Sequence, residues 1–187
     1  MCGIVGIYKS NSKNVSAEIY DALIQVQHRG QDASGISTWD KSKMFLHKNL
    51  GLVSEVFKRD SLLKLNGNIG IGHVRYPTAG CDDVIESQPF YTANPISMSL
   101  AHNGTLINSA QVKSRLIKTH FCQFNTDSDS EVLLNLISYE ISKIQFRKLS
   151  KIHVFKALEN VYKSISGGFA VVMIIAGGGL LLNFFLK

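Results

Sequence analysis

MCGIVGIYKS, residues 1–10, decides how the rest of the chain is read. It places a thiol, Cys2, one position from the start, beside Gly3 and directly ahead of the β-rich run IVGIY at residues 4–8. Chain termini normally fray, so a reactive side chain there is either inert or held by a packed strand. Initiator methionine is normally removed ahead of a small side chain, and cysteine is small. Removal leaves Cys2 with a free α-amine, a group whose unperturbed pKa is about 7.7–8.0. That amine can take the thiol proton and hand it to a leaving group, so that a single residue serves as nucleophile and general base. The alternative is an inert cysteine on a loose end, and other segments decide between the two.

Further along, Ile19, Leu23 and Val26, with Ala22 between them, follow helical spacing, and Gly30 is placed to end the helix. GISTW and MFLHKN read as strands joined by a polar turn. NIGIGHVRY alternates Ile69, Ile71, His73 and Arg75 on one face, and ISMSLAHNG is a strand running into a turn. SDSE carries a capping box, Ser128 with Glu131. It opens a helix whose apolar face is Val132, Leu133, Leu136, Ile137, Ile141 and Ile144. A last helix shows Val154, Phe155, Leu158, Val161, Tyr162 and Ile165. Residues 169–186 are uncharged and long enough for a membrane span. Gly177, Gly178, Gly179 and Asn183 nonetheless split them into two β-rich runs, which predicts a buried hairpin rather than an anchor. Strands, a helix, strands, two helices and strands again make an α+β layered domain, not a βαβ repeat.

At 187 residues the chain fits one domain. Hydrophobic residues make up 45% and charged residues 18%, the balance of a water-soluble globular protein. Cys2, Cys81 and Cys122 form no C-x-x-C pair, so zinc and iron–sulfur sites lack a ligand pattern and a disulfide framework is not expected. No secretory signal is visible, and a reducing cytoplasm is the expected compartment. The net charge is +6, concentrated in KIQFRKLSKIHVFK at residues 143–156. That stretch reads as a helix with a basic, solvated outer face rather than a nucleic-acid surface.

Three segments carry chemistry that a thiol at the chain start needs. GHVRYPTAG puts Arg75 at a strand end, where a guanidinium can grip a carboxylate. LAHNGTL puts Asn103 and Gly104 at a strand-to-turn junction, where a side-chain amide and a main-chain N–H form an oxyanion hole. NTDSDSE places Asp127 and Asp129 at a helix start, and Asp129 is also suited to face a substrate ammonium. Each has a plainer reading: a surface arginine, a turn asparagine, an N-terminal helix aspartate. Together with Cys2 they supply a nucleophile, a base, oxyanion donors and a clamp for an α-amino acid.

MCGIVGI, LIQVQHRGQDASGI, GLVSEVF, GNIGIGHVRYPTAG, QPFY, LAHNGTL and SDSE closely resemble the glutaminase domain of amidophosphoribosyltransferases, class II glutamine amidotransferases that open purine synthesis. The resemblance runs from Met1 to about Leu182. It implies an N-terminal-nucleophile hydrolase fold, a four-layer αββα sandwich, here lacking its C-terminal part. It also implies that Cys2 attacks the glutamine amide, that Asn103 and the Gly104 N–H stabilise the oxyanion, and that Arg75 holds the α-carboxylate. Asp129 would hold the α-ammonium, with Thr78 a second contact. The family continues beyond the second tail strand into a phosphoribosyltransferase domain. Here the expected single domain, 1–187, contains none of it. Phosphoribosyl pyrophosphate and magnesium are therefore expected only with that further domain, and no cofactor, metal, membrane or nucleic acid is expected on this chain. A homo-oligomer is compatible with the resemblance. The expected rival to a working glutaminase is a non-catalytic remnant, or a module that depends on a separate transferase subunit.

Overall fold

The computed structural model describes residues 2–76, 83–144 and 149–176, and the main chain of 180–186. The first half of the chain builds β1 (Gly3–Tyr8), α1 (Ser16–Gln25), β2 (Ala33–Trp39), β3 (Met44–Leu50), the short α2 (Val53–Val56) and α3 (Arg59–Lys64), and β4 (Ile69–Arg75). The second half builds β5 (Phe90–Thr92), β6 (Met98–Leu106), α4 (Ser109–His120), α5 (Asp129–Ser142), α6 (Lys151–Ser164), β7 (Gly167–Ile175) and β8 (Leu180–Leu186). Each half forms one antiparallel sheet, in the orders β1-β4-β2-β3 and β5-β6-β7-β8.

Strand alternation turns these sheets into layers. In β4, Gly70 and Gly72 face outward, and α1 lies directly on them. A Cβ at Gly70 would stand 2.3 Å from Ile19 Cδ1, and one at Gly72 would stand 2.8 Å from Ile19 Cγ2. Ile19, Leu23, Ile36, Phe57 and Val74 pack in this outer core. The opposite face of β4 presents Ile69 and Ile71, which meet Trp39, Ala101, Val172 and Ile174 between the two sheets. Beyond the second sheet, Leu100, Val171 and Met173 pack against Leu133, Leu136, Ile137 and Val161 of α5 and α6. Helices, sheet, sheet, helices is the expected four-layer αββα order, and the fold is α+β.

The predicted strands and the tail hairpin are present, with β8 paired along β7 from Ile175↔Leu180 to Phe169↔Leu186. Among the described residues no helix is long and apolar enough to cross a membrane. Several readings need correction. The first helix is regular only to Gln25 and reaches Gly30 through a tighter turn, Gln27–Arg29. Residues 143–156 are not one helix: α5 ends at Ser142 and α6 starts at Lys151, where Ser150 accepts from the His153 N–H. On α6 only Val154, Ala157 and Val161 are fully buried, whereas Phe155 and Tyr162 are exposed. Helical spacing alone made the apolar face wider than the sheet beneath it can cover.

Candidate active site

Cys2 immediately precedes β1, and packing fixes where that strand begins. A Cβ on Gly3 would stand 2.8 Å from Val74 Cγ2 and 2.9 Å from Val26 Cγ2, so the chain start lies flat against β4. Arg29 Nε donates to the Cys2 carbonyl at 3.1 Å, and the Tyr76 N–H points at Cys2 Sγ from 3.5 Å. The terminus is therefore held rather than frayed, and its thiol, half-buried, opens into a cavity of about 380 Å³.

Arg75, Gly104 and Asp129 line the same cavity. Arg75 is buried at the end of β4, and Asp32 Oδ2 accepts from its Nε at 2.5 Å, which fixes the guanidinium plane. Asp32 follows from the sequence only by asking what counter-ion a buried arginine needs. Asp129 opens α5, where the helix dipole favours its charge. Its Oδ2 accepts from the Leu106 N–H at 2.8 Å, tying the helix start to the end of β6. Asp127 lines the cavity too, but it is fully exposed and paired with Lys113 at 2.8 Å, which holds its carboxyl below the usual range. Thr78 lies outside the described residues.

The HNG segment differs from its expected form. It does not end its strand: β6 continues through Asn103 and Gly104 to Leu106, opposite Ala170 down to Gly167. Gly104 adopts φ +147°, where a Cβ would stand 2.4 Å from the Gly168 carbonyl oxygen. Only glycine fits there without strain. Asn103, half-buried, shares its side of the sheet with Ala101, which faces the layer between the sheets, but Asn103 does not line the cavity wall.

The capping box is also absent. Ser128 Oγ accepts from the Ser130 N–H at 3.3 Å, and Glu131 turns away from the helix end. The Glu131 carboxylate instead accepts from the Asn125 N–H at 3.0 Å, the Thr126 N–H at 2.8 Å and the Thr126 hydroxyl at 2.6 Å. This buried carboxylate sets the path of the loop that delivers Asp129.

Set into the cavity wall is a polar cluster that motif reading overlooked. His102 is buried, and its Nδ1 is 2.9 Å from Ser130 Oγ and 3.5 Å from Asp129 Oδ1. Burial lowers its pKa from the ordinary value, and the Asp129 charge opposes that shift. Gln88 bonds to both main-chain groups of His102. Lys48, reaching from β3, donates to the Ser87 carbonyl at 2.5 Å and lies over the Phe90 ring. Its pKa is lowered to about 8, chiefly by burial. Among the described residues no group of three or more His, Cys, Asp or Glu side chains is arranged to hold a metal.

Residues 73–182 match the glutamine amidotransferase domain family, more than half of the chain. The chain belongs to this family. It is 46% identical over 181 residues to the amidophosphoribosyltransferase of Pasteurella multocida, covering 96% of this chain and 36% of that enzyme. The glutamine phosphoribosylpyrophosphate amidotransferase of B. subtilis, solved with ADP and GMP, superposes over 94% of this chain and 35% of its own, with a TM-score of 0.76 at 32% identity. A structure described as the allosteric regulatory enzyme of purine biosynthesis superposes with the same coverage, a TM-score of 0.77 and 32% identity. The fold is thus that of the N-terminal-nucleophile glutamine domains. The chain spans about a third of the length of the curated relatives it matches.

Proposed function

We propose that the chain is the glutamine-hydrolysing part of an amidophosphoribosyltransferase and that Cys2, freed of Met1, is its nucleophile. The observation that carries this reading is the convergence of Cys2, Arg75, Gly104 and Asp129 on one cavity. Arg75 and Asp129 sit on that cavity as a cation and an anion, the pair that an α-carboxylate and an α-ammonium require. Glutamine bound between them presents its side-chain amide to the thiol.

In this reading the α-amine of Cys2 takes the thiol proton as sulfur adds to the amide carbon. The developing oxyanion is met by the Gly104 N–H and the Asn103 side-chain amide. The C–N bond breaks, the amine returns the proton to the leaving nitrogen, and ammonia departs. Water then attacks the glutamyl thioester, releasing glutamate and restoring the thiol. Thr78, as a second contact to glutamine, belongs to the same proposal. The ammonia is destined for phosphoribosyl pyrophosphate, in the transferase step of the full enzyme.

The test is ammonia release from glutamine by the purified chain, with Cys2→Ala as control. Release by the parent and none by the variant is the expected result. Equal release by both, or a Met1 retained on active protein, overturns the nucleophile assignment.

A further inference from the structure

Gln88 occupies a place that a strand residue would normally fill. The β5–β6 register runs Phe90↔Leu100, Tyr91↔Ser99, Thr92↔Met98, and two further steps along it bring Gln88 opposite His102. The Gln88 main chain is not available for that ladder position. Its carbonyl oxygen lies so close to Gly35 on β2 that a Cβ there would stand 2.1 Å from it. The side-chain amide takes over: Oε1 accepts from the His102 N–H at 2.7 Å and Nε2 donates to the His102 carbonyl at 3.2 Å. An amide satisfies a strand's N–H and C=O together as a peptide unit does. Its second N–H reaches Ser130 Oγ at 3.1 Å.

The cluster has one proton assignment that uses every close pair. Ser130 donates to Asp129 Oδ1 at 3.3 Å and accepts from the Gln88 amide and from His102 Nδ1–H. Gln88 thereby ties three things together: the main chain directly before Asn103–Gly104, the hydroxyl beside Asp129, and the cavity wall it lines itself.

We propose that Gln88 is a positioning residue of the glutaminase site, a side chain acting as the missing peptide of β5 that sets the oxyanion donors of β6 against the start of α5. The proposal rests on the glutaminase reading. Its test is the rate at which a diazoketone analogue of L-glutamine alkylates Cys2, measured from pH 5.5 to pH 8 with thermal melts in parallel. Gln88→Glu keeps the shape, but its carboxylate cannot donate to the His102 carbonyl or to Ser130. Alkylation is expected to fall at least about tenfold at pH 8, in line with leaving buried partners unpaired. The ratio of variant to parent should recover in part toward pH 5.5, where a protonated carboxyl regains one of the two donor hydrogens. Gln88→Met, which keeps the length without the bonds, should show the deficit at every pH, and it carries the test if Gln88→Glu does not fold. Undiminished alkylation in folded variants overturns the proposal, as does a deficit in Gln88→Glu that pH leaves unchanged. A parent chain that is not alkylated overturns the glutaminase reading itself, and this inference with it.

Discussion

At the scale of single residues, the site depends on atoms that leave no room for change. Gly104 combines φ +147° with a would-be Cβ 2.4 Å from the Gly168 oxygen and 2.5 Å from Phe169 Cα. Gly104→Ala must therefore shift the strand by strain and by steric contact at once. The expected cost is about 1–3 kcal/mol of stability, with ammonia release reduced on the order of a hundredfold because the N–H no longer points at the oxyanion. Urea unfolding and a steady-state assay check the two effects separately; an alanine variant of parental activity would remove Gly104 from the oxyanion hole. The sequence made Cys2, Arg75, Gly104 and Asp129 legible because each has a chemistry that a thiol at the chain start needs. It left Asp32, Gln88 and His102 unread because their roles are pairwise. Asp32 matters only once Arg75 is known to be buried, and Gln88 only once the β5–β6 register is known.

Elements were legible where the apolar pattern is strong, as in β1, β4 and α5, and misread where local signals competed. SDSE matches the capping-box pattern, yet Glu131 accepts from the Asn125 and Thr126 N–H groups, of which the one on buried Thr126 has the greater need of an acceptor. The consequence is specific to the element. Glu131→Gln replaces one carboxylate oxygen with an NH₂ group that cannot accept, so one main-chain N–H in the 125–126 loop loses its partner. Stability should fall by about 1–3 kcal/mol. The KM for glutamine should rise as well, because that loop leads directly into Asp129. A helix-cap role would give no change in KM, so the kinetic readout separates the two assignments. The same competition explains α6, where Phe155 and Tyr162 keep helical spacing while standing outside the strip that the second sheet covers.

On the scale of the whole molecule, the layer between the sheets holds six buried apolar residues among the described ones, and it has a histidine set into it. His73 is completely buried on β4, and neither ring nitrogen has a hydrogen-bond partner among the described residues. Burial lowers its pKa to about 3, the positive charges of Arg75 and Lys48 and the neighbouring His102 act in the same direction, and only the facing main chain of His102 opposes them. The sign follows from linkage. The unfolded chain takes up this proton near pH 6.5 and the folded chain does not, so stability is complete above about pH 6.5 and declines as the pH falls toward 3. From pH 6.5 to pH 5 the loss attributable to His73 is about 2 kcal/mol. His102, shifted in the same direction, adds to it. Urea midpoints at pH 7 and pH 5 should therefore differ more for the parent than for His73→Leu, by about 2 kcal/mol in unfolding free energy. Identical pH dependence in the two proteins would mean that His73 is solvated, and that the sheets do not close over it.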